Sequence, residues 1–164
     1  MIWVCRPGKD GIYFPLFCES NRIYLAWEGY NTDLSHYKTL KDFRKLVITE
    51  KNPKANTSIS NWACQLYSFC VDMQIGDYVM IPDKHSKKYT LATICGDYEY
   101  RKYDELLHSR KIKILVKDIP RSSFNKTVQY SLGAFRTVFK TRFEEEILKV
   151  ASKLENNYQD ISKG

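Results

Sequence analysis

This sequence predicts an α+β domain, a small curled β-sheet or barrel with helices packed around it. Three observations carry the expectation: many short apolar segments between turn signals, two internal stretches with apolar residues at helical spacing, and a longer C-terminal stripe of the same period. At 164 residues, 43% hydrophobic and 27% charged, the chain can bury a core without disulfide or metal staples.

Ile2–Arg6 reads as a first strand, and Lys9-Asp10-Gly11 as a turn into a second, Ile12–Phe17. Ile23–Trp27 has the alternation of another strand. Leu40, Phe43, Leu46 and Val47 then repeat at helical spacing behind Thr39, a residue suited to cap a helix. After the polar break Lys51–Thr57, a central helix starting near Ser58 or Ser60 buries Ile59, Trp62, Ala63, Leu66, Phe69, Cys70 and Met73. Gly76-Asp77 turns the chain into strand Tyr78–Ile81, Lys84–Lys88 forms a basic hairpin tip, and Tyr89–Ile94 returns. Ile112–Val116 is one further strand. Thr141-x-x-Glu144 has the form of a capping box, and Phe143, Ile147, Val150, Leu154 and Tyr158 form one apolar stripe behind it. Residues 1–139 are thus expected to form the domain, with 140–164 a C-terminal helix and the start of a linker.

The net charge of +7 is unevenly placed: residues 140–164 carry five basic and five acidic side chains, so the surplus lies in residues 1–139. Such a surplus favours a polyanion through phosphate contacts and counterion release; a basic solubilising surface is the alternative. Lys84, Lys87, Lys88, Arg110, Lys111 and Lys113 are the candidate phosphate-binding set. The five scattered cysteines contain no Cys-x-x-Cys pair, which fits free thiols in a reducing cytoplasm. No apolar run approaches the ~20 residues of a membrane span.

Catalytic signals are sparse. No Asp or Glu has Lys two positions on, as the common two-metal nucleases require, and Glu144-Glu145-Glu146 suits the first turn of a helix. His36, His85 and His108 share no metal-binding spacing, and no glycine-rich phosphate loop is present. The expectation is a non-enzymatic chain with no catalytic residue, metal or cofactor.

Three Trp, twelve Tyr and eight Phe offer surfaces for base stacking. Trp27, Tyr98 and Tyr100 fall at strand ends, where a pocket can form. Trp62 fits either a pocket or the core. Asn61 and Gln65 lie four apart on one helical face; they can read the edge of a base, or cap the helix and face solvent.

Several stretches together resemble the N-terminal module found ahead of Mrr-type restriction endonuclease domains. They are Trp3-Val4-Cys5-Arg6 with Gly8, Ile23–Gly29, Asn61–Phe69, Ile75–Pro82, Ile94–Tyr100 and Tyr130–Val138, in the family's order. The layout is more remotely similar to PUA-like domains, including the EVE group, small barrels that accept a flipped base. The resemblance implies a DNA-recognition module of a restriction or phage-defence system, which binds duplex DNA, modified or not, and works with an effector nuclease in cis or in trans. It implies a base pocket near Trp27, Asn61, Trp62 and Gln65, with Tyr98, Tyr100 and Ser131 at its rim. An RNA-binding PUA-like module is the alternative, as is a regulatory domain whose C-terminal stripe docks an effector.

Overall fold

The computed structural model describes residues 1–163, with side chains through Glu155. Among the described residues seven strands form one mixed sheet: β1 (Ile2–Cys5), β2 (Arg22–Tyr24), β3 (Tyr78–Asp83), β4 (Lys88–Ile94), β5 (Glu99–Tyr100), β6 (His108–Pro120) and β7 (Val138–Thr141). The order is β2-β6-β4-β3-β1-β7, with β5 also on β6. β1 pairs parallel to β3 and antiparallel to β7. The sheet is strongly curled, a half-barrel with helices packed on it, so the molecule is α+β as the sequence indicates. Register shifts between β4 and β6 fall at Tyr89/Leu91 and Leu91/Ala92, and Asp118 of β6 has φ 57°. Bulges of this kind bend a strand and increase its twist, so β6 pairs with β4 along its C-terminal part and with β2 and β5 at its start.

Both faces of the sheet are covered, and strand periodicity divides the core accordingly. Trp3 and Cys5 of β1 enter one cluster with Phe17, Phe43, Leu66 and Phe69 from the helices on that face. Ile2 and Val4 enter the other, with Val128, Leu132, Ile147 and Ala151. The first face carries α1 (Phe14–Ser20), α2 (Leu40–Lys51) and α3 (Asn56–Tyr67). The second carries α4 (Lys126–Leu132) and α5 (Glu144–Lys163).

Local chemistry explains most boundaries. Thr39 caps α2 by accepting from the Asp42 amide at 3.2 Å, and the Asp42 carboxylate accepts from the Thr39 N–H in return. Asn52 ends α2 in the left-handed region, just before Pro53. The expected strand over Ile12–Phe17 is corrected: from Phe14 the chain is helix α1. Pro15 lies in its first turn, where a missing N–H costs nothing, and left-handed Asn21 ends it. α3 starts at Asn56, earlier than Ser58 or Ser60, with Ala55 at the cap position. The strand expected over Ile112–Val116 extends from His108 to Pro120. The capping box at Thr141 is also corrected, because Thr141 ends β7 opposite Ile2 and its hydroxyl bonds Ser131; α5 begins only at Glu144. Its stripe is not free, since Ile147 and Ala151 are buried against the sheet and Phe143, Val150 and Leu154 pack partly against the same cluster. Tyr158 and the polar end from Asn156 lie outside the described side chains.

No described helix is long and apolar enough to cross a membrane. Cys5, Cys18, Cys64, Cys70 and Cys95 are all free thiols; burial raises the Cys70 thiol to about 12.

Candidate functional site

A cleft of about 820 Å³ opens where the turn after β1, the end of β2, α3, the β3–β4 hairpin and the loop before β7 converge. Its volume lies within the usual range of ligand sites. Seven cationic side chains and two carboxylates line it. That local surplus of five accounts for most of the molecule's +7.

The β3–β4 hairpin turns over Lys84–Lys87, as the sequence indicates, and Lys84, Lys87 and Lys88 line this cleft. Lys84 donates to Asp10 at 2.7 Å, a hydrogen bond and charge that hold the Asp10 carboxyl below its ordinary value. The cleft wall at Gly8 has φ 76°, and a Cβ there would meet the Tyr13 ring at 2.6 Å, so the turn out of β1 requires glycine.

Asn61 and Gln65 line the cleft together, and the backbone fixes how each amide points. Gln65 is only 5% exposed. Its Oε1 accepts from the backbone N–H groups of Thr137 at 2.9 Å and Val138 at 3.1 Å. Its Nε2 therefore faces Asn61 and donates to Oδ1 at 3.2 Å. The Asn61 Nδ2 in turn makes no hydrogen bond within the described residues. Gln65 Oε1 is filled by two backbone donors, whereas Asn61 keeps both Nδ2 hydrogens and one Oδ1 lone pair, so what the pair offers an occupant comes from Asn61. Gln65 is a clip between α3 and β7, and Asn61 is the group left to address a ligand.

Trp27 and Trp62 line the same cleft, both half-buried, and both also pack against the first core cluster. The Trp27 indole N–H donates to the Thr137 hydroxyl at 3.2 Å, which holds the ring against the β7 end of the cleft. One face of the requirement for base binding is thereby met: aromatic surface beside a free amide, ringed by cations.

The remaining candidates lie elsewhere. Tyr98 and Tyr100 do not line the cleft; they pack on His108 at 5.8 and 5.7 Å between ring centroids. The His108 Nε2–H donates to the Tyr30 carbonyl, so its Nδ1 accepts from the Tyr98 hydroxyl at 2.6 Å. Tyr98 oxygen accepts from the Leu34 amide at 3.1 Å, and Tyr100 donates to the Asn31 carbonyl at 3.0 Å. These tyrosines lock the 30–34 loop to β5 and β6. Ser131 is likewise engaged, by Thr141.

Arg110 cannot serve phosphates from where it sits. It is 2% exposed, and its guanidinium donates to the carbonyls of Gly96, Phe69 and Met73 at 2.6 to 3.3 Å. It closes the open carbonyl end of the turn that continues α3. Lys111 lines a separate cavity of about 550 Å³ whose charges are mixed, with Arg22, Arg101, Asp104 and Glu105. Lys113 is exposed on β6 and does not line the cleft. Among the described residues no group of three His, Cys, Asp or Glu side chains gathers to hold a metal.

A family model described as "Domain of unknown function (DUF8426)" matches residues 9–140, most of the chain. The chain belongs to the DUF8426 family. No curated protein and no solved structure matches it. The matched span of this DUF8426 chain holds almost every residue of the cleft, including three cations outside the phosphate-binding set expected from the sequence, Lys9, Arg121 and Arg136; a fourth, Arg6, lies just ahead of the match. Phe135 also lines the cleft; its sequence signal is an aromatic beside an arginine in Gly133-Ala-Phe-Arg136, within the Tyr130–Val138 stretch that carries the family resemblance.

Proposed function

We propose that this chain is a DNA-recognition module of a restriction or phage-defence system, acting in the cytoplasm with an effector nuclease in cis or in trans. Phosphates sit on the cationic rim, chiefly Lys87, Lys88, Arg121 and Arg136. An extruded base, modified or not, enters against Trp27 and Trp62 and meets the Asn61 amide. The observation that carries this reading is that one cleft joins a local charge surplus to half-buried indoles and an amide with free donors. Extrusion costs a few kcal/mol, and stacking at ~1–3 kcal/mol per base with edge hydrogen bonds can offset it. The ordered resemblance to the Mrr-associated module supports the restriction context.

The test is fluorescence anisotropy on matched duplexes carrying cytosine, methylated or hydroxymethylated cytosine, or methylated adenine, at two salt concentrations. A preference for one duplex that survives the higher salt supports the reading. Equal binding that disappears with salt reduces the cleft to phosphate attraction. Tighter binding to single-stranded RNA of the same sequence would transfer the assignment to an RNA-binding module.

A further inference from the structure

Phe135 is 98% exposed, on the loop between α4 and β7 at the mouth of the cleft. An aromatic ring in water is unremarkable when its loop is loose, because such a ring can find cover. This loop is pinned. Arg6 donates through Nη2 to the Ala134 carbonyl at 2.6 Å, and its backbone N–H bonds the Thr137 carbonyl at 2.8 Å. The Arg136 amide bonds the Ala134 carbonyl at 2.9 Å, the Gly133 amide bonds Gln129, and Thr137 is held by Gln65 and Trp27. The Arg6 guanidinium lies over the ring, 6.0 Å from its centroid. The backbone therefore holds an apolar ring out in solvent, with the Arg6 guanidinium over it and Arg136 next in the chain.

Phe135 lies two positions before Thr137, the residue that fixes both Trp27 and Gln65. Extended chain covers at most ~7 Å over that interval, about two stacked base steps. The Phe135 backbone therefore lies within about two stacked base steps of the residue that holds the cleft wall. Apolar wedges entering a base step are the usual partner of local unstacking.

Resting on the DNA-binding reading above, we propose that Phe135 is the wedge that fills the stack when a base leaves the duplex for the cleft. The occupant of this patch is duplex DNA, a polyanion that the flanking Arg6 and Arg136 favour by charge. Phe135 then stabilises only the opened duplex, and has nothing to do on a strand that is already unstacked.

The experiment compares wild type, Phe135→Ala and Phe135→Leu on three probes: a paired duplex, the same duplex with a mismatch at the target position, and the single strand. The ring touches no core residue, so Phe135→Ala should fold as wild type does. The expected result is about a tenfold or larger loss on the paired duplex, a loss under about threefold on the mismatch and the single strand, and partial recovery with leucine. In wild type, 2-aminopurine placed beside the target base should brighten on binding, and Phe135→Ala should suppress that rise. Equal losses on all three probes, or none, would overturn the wedge while leaving the cleft reading intact. Wild type that binds no duplex more tightly than it binds heparin would overturn both.

Discussion

Replacing Gln65 by alanine removes one acceptor and strands two backbone donors, those of Thr137 and Val138. A buried donor left unpaired costs about 1–3 kcal/mol, so Gln65→Ala should lower the unfolding free energy by about 2–4 kcal/mol. Urea titration with an unchanged m-value is the check. Asn61→Asp makes the opposite separation. The new carboxylate can still accept from Gln65 Nε2, so stability should shift by less than about 0.5 kcal/mol. It has no donor for a ligand, and DNA affinity should fall about tenfold or more at a salt concentration that screens the added charge. Similar stability losses in both variants would mean that Asn61 is as structural as Gln65. Neighbours four apart on one helical face thus have different work, decided by what β7 brings to one of them.

At the scale of elements, the β3–β4 hairpin and the helix caps show how far local pattern reaches. Lys84–Lys88 was legible as a tip because Gly76-Asp77, an apolar strand and a basic cluster follow in order, and Thr39 was legible because its partner Asp42 is three residues away. The wall of the cleft was legible for the same reason at Asn61, Trp62 and Gln65, which share a helix. Arg110 was not. Its sequence neighbours Lys111 and Lys113 advertise a basic strand, but alternation turns Arg110 inward to carbonyls about 40 residues away. Tyr98 and Tyr100 were misplaced because the contact that claims them, His108, depends on β5 pairing with β6. For the hairpin itself the expectation is simple. Lys87→Ala with Lys88→Ala should weaken binding to modified and plain duplex alike, and reduce the slope of log affinity against log salt by about 2. A loss confined to one duplex would place these lysines in base reading.

For the molecule as a whole, the buried His108 makes stability depend on pH in a definite direction. Burial pushes its imidazole below the ordinary 6.5, so the unfolded chain takes up the proton first as pH falls. Stability should therefore be level above about pH 7 and decline below about 6.5, by at most ~1.4 kcal/mol per pH unit from this one group. His108→Gln should cost stability at pH 7 but flatten that stretch of the curve; a variant with the wild-type slope would remove His108 from the account. The position of β1 has a different consequence. Its four residues, buried on both faces, pair with Tyr78–Met80 on one side and Val138–Thr141 on the other. On a ribosome β1 leaves well ahead of both partners, and the second follows roughly 135 residues later, on the order of ten seconds at ordinary rates of synthesis. Through that interval an apolar strand with two bare edges has nothing native to join, which makes the nascent chain a natural client for a holdase chaperone, and lets the sheet close only once β7 has emerged.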